Sequence, residues 1–334
     1  MESLFLLLFT FFFNLTIFLK FQKFSNLFII FDKPDGKLKK HDRAISLVGG
    51  FIILINLYLI TFFLKMLNMD NLVFEDNFLY IVLILSFLFY FIGIIDDFKN
   101  LSPNLKLFLI IISIILVTIL FPELKLEYIK ISFLHKDYFF GNYDFIFIIL
   151  SFALLANAIN MFDGINLQLI GYTLFIFLIF IINNFLPLFF VLLSICLIFL
   201  GILNYKNKVF IGDGGCYLIS SILGCTFIYQ YKNFSNYLYG DQIFIILLIP
   251  AIDMLRLFLV RLINKKNPFR GDLNHLHHII DRFIKNKHLT VIITLNLCIL
   301  PTLLMYLGIQ TYFILAISLL IYLSLISFLG YKNK

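Results

Sequence analysis

Residues 78–97 read FLYIVLILSFLFYFIGIIDD, and from Phe78 to Ile95 no side chain is charged. A helix needs about 20 such residues to cross roughly 30 Å of hydrocarbon. This run closes on two adjacent carboxylates, Asp96 and Asp97. Working outward, comparable apolar runs lie at 3–19, 45–64, 105–121, 143–160, 168–183, 185–204, 210–229, 242–263, 289–309 and 312–331. Only Asn183-Asn184 and Pro187 part the runs at 168–183 and 185–204, so the spans number eleven, or ten if those two are one. The pattern predicts an all-α, polytopic membrane protein with 10–11 transmembrane helices. Composition agrees: the chain is 62% hydrophobic and 13% charged with mean hydropathy +1.01, whereas a soluble domain has about a quarter of its residues charged. No long polar linker, repeat or low-complexity tail interrupts it, so residues 1–334 read as a single membrane domain.

Placing the N-terminus outside puts twenty of the 26 Lys and Arg residues in cytosolic segments and five in outer ones, with Arg256 inside a span. That imbalance decides the orientation. The loop 122–142 carries Lys125, Lys130 and Lys136 yet falls outside; its alternation from Leu124 to Ile131 suggests a small external hairpin. The first run lacks a basic leader and a small-residue cleavage site, so it reads as a retained span. The net charge of +7 is spread over the flanks of the spans, which explains it by topology and argues against a nucleic-acid partner. Cys196, Cys216, Cys225 and Cys298 form no CxxC pair and have no His at zinc spacing, so neither a disulfide, a zinc site nor redox chemistry is expected.

Ionisable groups beside hydrocarbon persist mainly where they do chemistry or line a wet cavity. Asp96-Asp97 is one such cluster: two carboxylates side by side need a metal or cations to neutralise them, and Lys99 and Lys106 follow, the second after a Ser102-Pro103 turn. Asn157, Asn160 and Asp163 stand at i, i+3, i+6, which suits a hydrated cation or a base, or polar contact between helices. Gly212-Asp213-Gly214-Gly215 opens a span, where glycines admit a ligand close to the backbone or Asp213 caps a turn. Asp32 to His41 holds, from Lys33 on, five basic side chains in nine residues with His41 counted, a membrane anchor with a Pro-Asp-Gly turn or a docking point for a phosphate-bearing partner. Pro268 to His278 gathers Arg270, Asp272, His275, His277 and His278. Imidazoles so placed bind phosphate when protonated or a metal when neutral.

In this order the clusters closely resemble the polyprenyl-phosphate N-acetylhexosamine-1-phosphate transferases, the membrane family that starts lipid-linked glycan synthesis. The resemblance runs from Asp32 to His278 in motifs and along the whole chain in span count. It implies a helical enzyme with a cytosolic-face active-site cleft in the bacterial cytoplasmic membrane. There undecaprenyl phosphate would attack the β-phosphate of a UDP-amino sugar with the help of Mg²⁺, or Mn²⁺ in its place, and release UMP. By resemblance, Asp96 and Asp97 handle the lipid phosphate or act as base, and Asp163 is a further catalytic acid. Asn160 and Asp213 would hold the metal. Asn157, Gly164, Asn166 and Phe210 would bind the nucleotide sugar, Phe210 by stacking on uracil. Lys106, Arg270, His275, His277 and His278 would bind phosphate. A homodimer is compatible with the pattern.

The loop His275-Leu276-His277-His278 looks like that of the bacterial GlcNAc-phosphate branch, against the phospho-MurNAc-pentapeptide transferases of peptidoglycan synthesis. The chain departs from the family where Asp163-Gly164-Ile165-Asn166-Leu167-Gln168 replaces the usual Asp-Gly-x-Asp-Gly-Leu, where Cys216 replaces Ser, and where Ser46 replaces Pro. A transporter is the rival class, but its site would lie near the bilayer midplane with inverted repeats. Here the acids sit at span ends and no repeat is visible.

Overall fold

The computed structural model describes residues 1–28, 30–32, 44–67, 69, 77–134, 136–233, 238–268 and 272–332. In chain order its elements are α1 (Glu2–Leu19), α2 (Phe21–Phe28), β1 (Phe31–Asp32), β2 (Ile45–Ser46), α3 (Gly49–Met66), α4 (Phe78–Lys99), α5 (Pro103–Leu120), β3 (Tyr128–Ile131) and β4 (Lys136–Phe139). They continue with α6 (Asp144–Phe162), α7 (Gln168–Ile182), α8 (Pro187–Tyr205), α9 (Gly212–Asn233), α10 (Gly240–Ile246), α11 (Leu248–Ile263), α12 (Leu276–Ile284), α13 (Lys287–Tyr306) and α14 (Thr311–Lys332). Each of the eleven apolar runs coincides with one helix or, at 242–263, with a broken pair, so the chain is an all-α, multi-pass membrane protein.

Eight of these helices are long and apolar enough to span by themselves, and α10 with α11 makes a ninth bent by 79°. The two remaining expected spans differ for local reasons. Helix α7 has 15 residues, about 22 Å at 1.5 Å per residue, and α9 opens on Gly212-Asp213-Gly214-Gly215, which lowers its hydropathy. The break at Leu247 has a physical cause. Pro250 has no N–H to offer the carbonyl of Ile246, and the Tyr172 hydroxyl donates to that oxygen instead at 2.8 Å.

The chain divides into two compact units, residues 1–124 with 173–226, and residues 125–172 with 227–334. In the first, α1 and α3 pack on α8, and α4 packs on α3 and α5. Buried Asn14 and Asn56 exchange carboxamide hydrogen bonds of 2.7 and 3.1 Å. Each also donates to its own helix, at Thr10 and Ile52, so neither amide is left dry in the apolar interior. The expected span start at 45 moves to Gly49, because Ile45 and Ser46 pair with Phe31 and Asp32 as a short antiparallel ladder. In the second unit α11 lies on α6, and α12, α13 and α14 pack together. The alternating segment forms the expected hairpin, Tyr128 opposite Phe139 through Ile131 opposite Lys136. Asp241 clamps that hairpin by accepting from the backbone N–H of Ser132 at 2.9 Å and from its hydroxyl.

Candidate active site

In the first unit the acids at the end of α4 meet the start of α9. Ser102 caps α5, its hydroxyl accepting from the N–H of Leu105 at 3.4 Å, with Pro103 in the first turn. The Ser-Pro restart read from the sequence is therefore present, and it sets Lys106 one turn into α5. Lys106 forms an ion pair with buried Asp96 and stands 3.6 Å from the Asp213 carboxylate. Asp96 also accepts from the N–H of Leu101 at 2.8 Å, closing the end of its own helix. Asp97 turns elsewhere. Its carboxylate accepts from the backbone N–H groups of Asp213 at 3.0 Å and Gly214 at 3.2 Å, donors exposed by the first turn of α9.

The glycines of this motif serve helix contact. A Cβ at Gly93 would collide with the backbone of Gly214, so α4 reaches α9 only because Gly93 has no side chain there. Gly49 and Gly50 donate their N–H groups to the carbonyls of Phe210 and Ile211 at 3.2 and 3.1 Å, and the N–H of Phe210 donates to Ser46 at 2.9 Å. Phe210, expected to stack on a base, is thus held by its main chain on the segment that leads into α9. Three carboxyl groups, those of Asp96, Asp97 and Asp213, face one ammonium in this cluster. Hard oxygen donors in negative excess fit a divalent cation such as Mg²⁺ or Mn²⁺, which takes only one or two protein carboxylates when phosphates complete its shell. Among the described residues no three His, Cys, Asp or Glu converge into an all-protein metal cage.

The second unit holds Asn157, Asn160, Asp163, Gly164, Asn166, His275, His277 and His278. The expected single stripe is interrupted: Asn157 and Asn160 lie on α6, whereas Asp163 is the residue just past its end, with its N–H donating to the Asn160 carbonyl at 3.3 Å. The Asn157 carboxamide donates to Ala153 one turn back at 2.8 Å. Leu167, which stands where the resembled family has glycine, adopts φ 70°, a left-handed conformation that strains an L side chain by about 1 kcal/mol.

Gly164 has a definite partner. A Cβ there would run into the imidazole of His277, so the glycine makes room for that ring. His277 is 2% exposed, stacks on His275 at 5.6 Å and 7°, and packs on His278 at 4.2 Å. Among the described residues its Nε2 has no hydrogen-bond partner. Burial first, then the neighbouring histidines, hold the His277 imidazole well below the usual range. Burial, His275 and Arg282 bring His278 down to about 4. Both rings are therefore neutral at neutral pH. Arg270 and the basic residues from Lys33 to Lys40 lie outside the described residues.

Sequence reasoning passed over Asp253, Arg261 and Tyr322. Asp253 accepts from His275 and Tyr322, and Arg261 binds Asp272 at 2.9 Å and the carbonyl of Pro268 at 2.8 Å, which fixes the base of the histidine loop. The signal for Asp253 was present: an acid three residues before Arg256 within an apolar run.

A family model described as "Glycosyl transferase family 4" matches residues 79–231. An undecaprenyl-phosphate alpha-N-acetylglucosaminyl 1-phosphate transferase of Thermotoga maritima is 27% identical over 273 residues, which cover 80% of this chain and 78% of that protein. A protein of Bacillus subtilis described as a probable undecaprenyl-phosphate N-acetylglucosaminyl 1-phosphate transferase is 25% identical, covering 78% of this chain and 72% of its own. An Escherichia coli K12 protein with the same description as the Thermotoga one is 26% identical, covering 86% and 79%.

Proposed function

We propose that this chain, whose residues 79–231 match glycosyl transferase family 4, transfers N-acetylhexosamine 1-phosphate from a UDP-amino sugar, UDP-N-acetylglucosamine first among them, to undecaprenyl phosphate. An oxygen of the lipid phosphate forms a bond to the β-phosphorus. The bond from that phosphorus to the bridging oxygen breaks, and UMP departs with the electron pair. An ionised lipid phosphate needs no proton removed before it attacks.

The observation that carries this reading is the arrangement around Asp97. A carboxylate held by two backbone N–H groups at a helix start, beside an Asp96–Lys106 pair and 3.6 Å from that lysine to Asp213, is a fixed polar surface at the end of a membrane helix. Phosphoryl transfer needs positioning and neutralisation of charge more than covalent help. Lys106 supplies a cation where a phosphate would arrive, and Asp96 keeps that ammonium in place. Asp213 is the carboxylate of this unit that would hold Mg²⁺, and a bound Mg²⁺ would neutralise charge developing on the transferred phosphate. Asn160, the other expected ligand, belongs to the second unit. The neutral imidazoles of His277 and His278 there offer hydrogen bonds rather than charge.

The same reading takes residues 1–334 as one catalytic domain of the bacterial cytoplasmic membrane, with the N-terminus outside. The Lys/Arg asymmetry supports that orientation. A test is UMP release by the purified protein with Mg²⁺ and undecaprenyl phosphate, compared with Asp97→Asn and Asp213→Asn. Each variant is expected to lose about 100-fold or more, the size typical of removing a group that organises transition-state charge. Unchanged release in both variants overturns the reading.

A further inference from the structure

We infer that Asp253 is the positioning residue of the histidine loop, setting the tautomer and place of His275. This inference rests on the transferase reading for what His275 does, though not for the geometry. The Asp253 carboxylate is 6% exposed and receives four kinds of donor. Nδ1 of His275 stands 3.1 Å from it, the N–H of Leu276 donates at 3.2 Å, the Arg256 guanidinium at 2.8 Å and the Tyr322 hydroxyl at 2.6 Å. A carboxylate in such company can only accept, so the proton of a neutral His275 must be on Nδ1. Nε2 is then the nitrogen left for a substrate oxygen or a proton. Among the described residues nothing else hydrogen-bonds the His275 ring.

The rest of the network keeps the carboxylate from turning. Arg256 also donates Nε to the Tyr322 oxygen at 2.7 Å and Nη2 to the carbonyl of Asn274 at 2.7 Å, the residue before His275. The Leu276 N–H belongs to the first residue of α12, so one carboxylate fixes both the ring and the helix that carries His277 and His278. The charged or titratable groups facing His275 are thus Asp253 and Arg256 from α11, Tyr322 from α14, and Asp272, His277 and His278 from its own segment. A carboxylate that orients an active-site histidine through its far nitrogen typically contributes 10–100-fold.

The test is nitrogen-15 spectroscopy of histidine-labelled protein in lipid nanodiscs at mildly alkaline pH, with His275 identified by its loss in His275→Gln, alongside UMP release. The wild type should show His275 protonated on Nδ1. Asp253→Asn should move the proton to Nε2 or mix the two forms and lower UMP release about tenfold or more, while Asp253→Glu should recover the Nδ1 form at least in part. Should Asp253→Asn fail to fold, Tyr322→Phe, which removes one donor and leaves the His275 bond, should keep the Nδ1 form. A wild-type proton on Nε2, or an unaltered tautomer in Asp253→Asn, overturns the inference. Absence of UMP release from the wild type would instead strike the transferase reading and leave the tautomer result to stand by itself.

Discussion

Successive residues of a helix point about 100° apart, and that angle sends Asp96 to Lys106 and Asp97 to the start of α9. Two adjacent carboxylates therefore do not confront each other, and the repulsion that made the pair conspicuous in the sequence is relieved by different partners. Gly164 is explained equally locally. Gly164→Ala should push the His277 ring aside, lowering stability by about 1–3 kcal/mol, the usual penalty of overpacking, and lowering UMP release; thermal unfolding and the release assay measure both, and wild-type values in both would contradict the packing. The histidines also make a pH prediction. His278 falls from an ordinary 6.5 to about 4 in the folded chain, and His277 is lowered in the same direction. The unfolded chain then binds protons that the folded imidazoles refuse. Stability from this source is fully present above about 6.5 and declines as pH falls toward about 4. His278→Gln should flatten that decline in melting temperature over the same window; an unaltered slope would show that His278 does not titrate as placed.

At the scale of elements, the apolar runs were legible because burial in hydrocarbon demands length and lack of charge, both of which can be counted along the chain. The break between α10 and α11 was not. It depends on Pro250 and on a hydroxyl 74 residues away that takes over the Ile246 carbonyl. Tyr172→Phe should leave that carbonyl without a partner, at about 1–3 kcal/mol, read as a lower melting temperature in detergent; no change would mean that another group satisfies it. The hairpin was legible because alternation of period two survives in a short segment. The glycines of Gly212 to Gly215 were legible as a close approach but not as an approach to α4, since the partner Gly93 lies far away in sequence. Asp253 was marked in the sequence only by Arg256 three residues on; the histidine and tyrosine donors that give it meaning lie 22 and 69 residues away.

For the molecule as a whole, the orientation proposed from the Lys/Arg distribution would put the hairpin 128–139 and the loop 264–268 on opposite sides of the membrane. Single cysteines at Asp137 and at Lys265, in a chain with its four native cysteines replaced by serine, should be labelled by an impermeant maleimide from the outer face and from the cytosolic face respectively. Labelling of both from one face would contradict the orientation. The likeness to glycosyl transferase family 4 over residues 79–231, the carboxylate and lysine cluster of the first unit and, taken by themselves, the neutral histidines of the second each support an account in which a phosphorylated sugar moves intact to a lipid phosphate. That account is tested most directly by supplying the purified protein with undecaprenyl phosphate, Mg²⁺ and UDP-N-acetylglucosamine radiolabelled at the β-phosphorus. The predicted result is label in the lipid fraction with an equimolar release of UMP. Label that stays in the aqueous phase, as UDP or as the unreacted UDP-sugar, would contradict it.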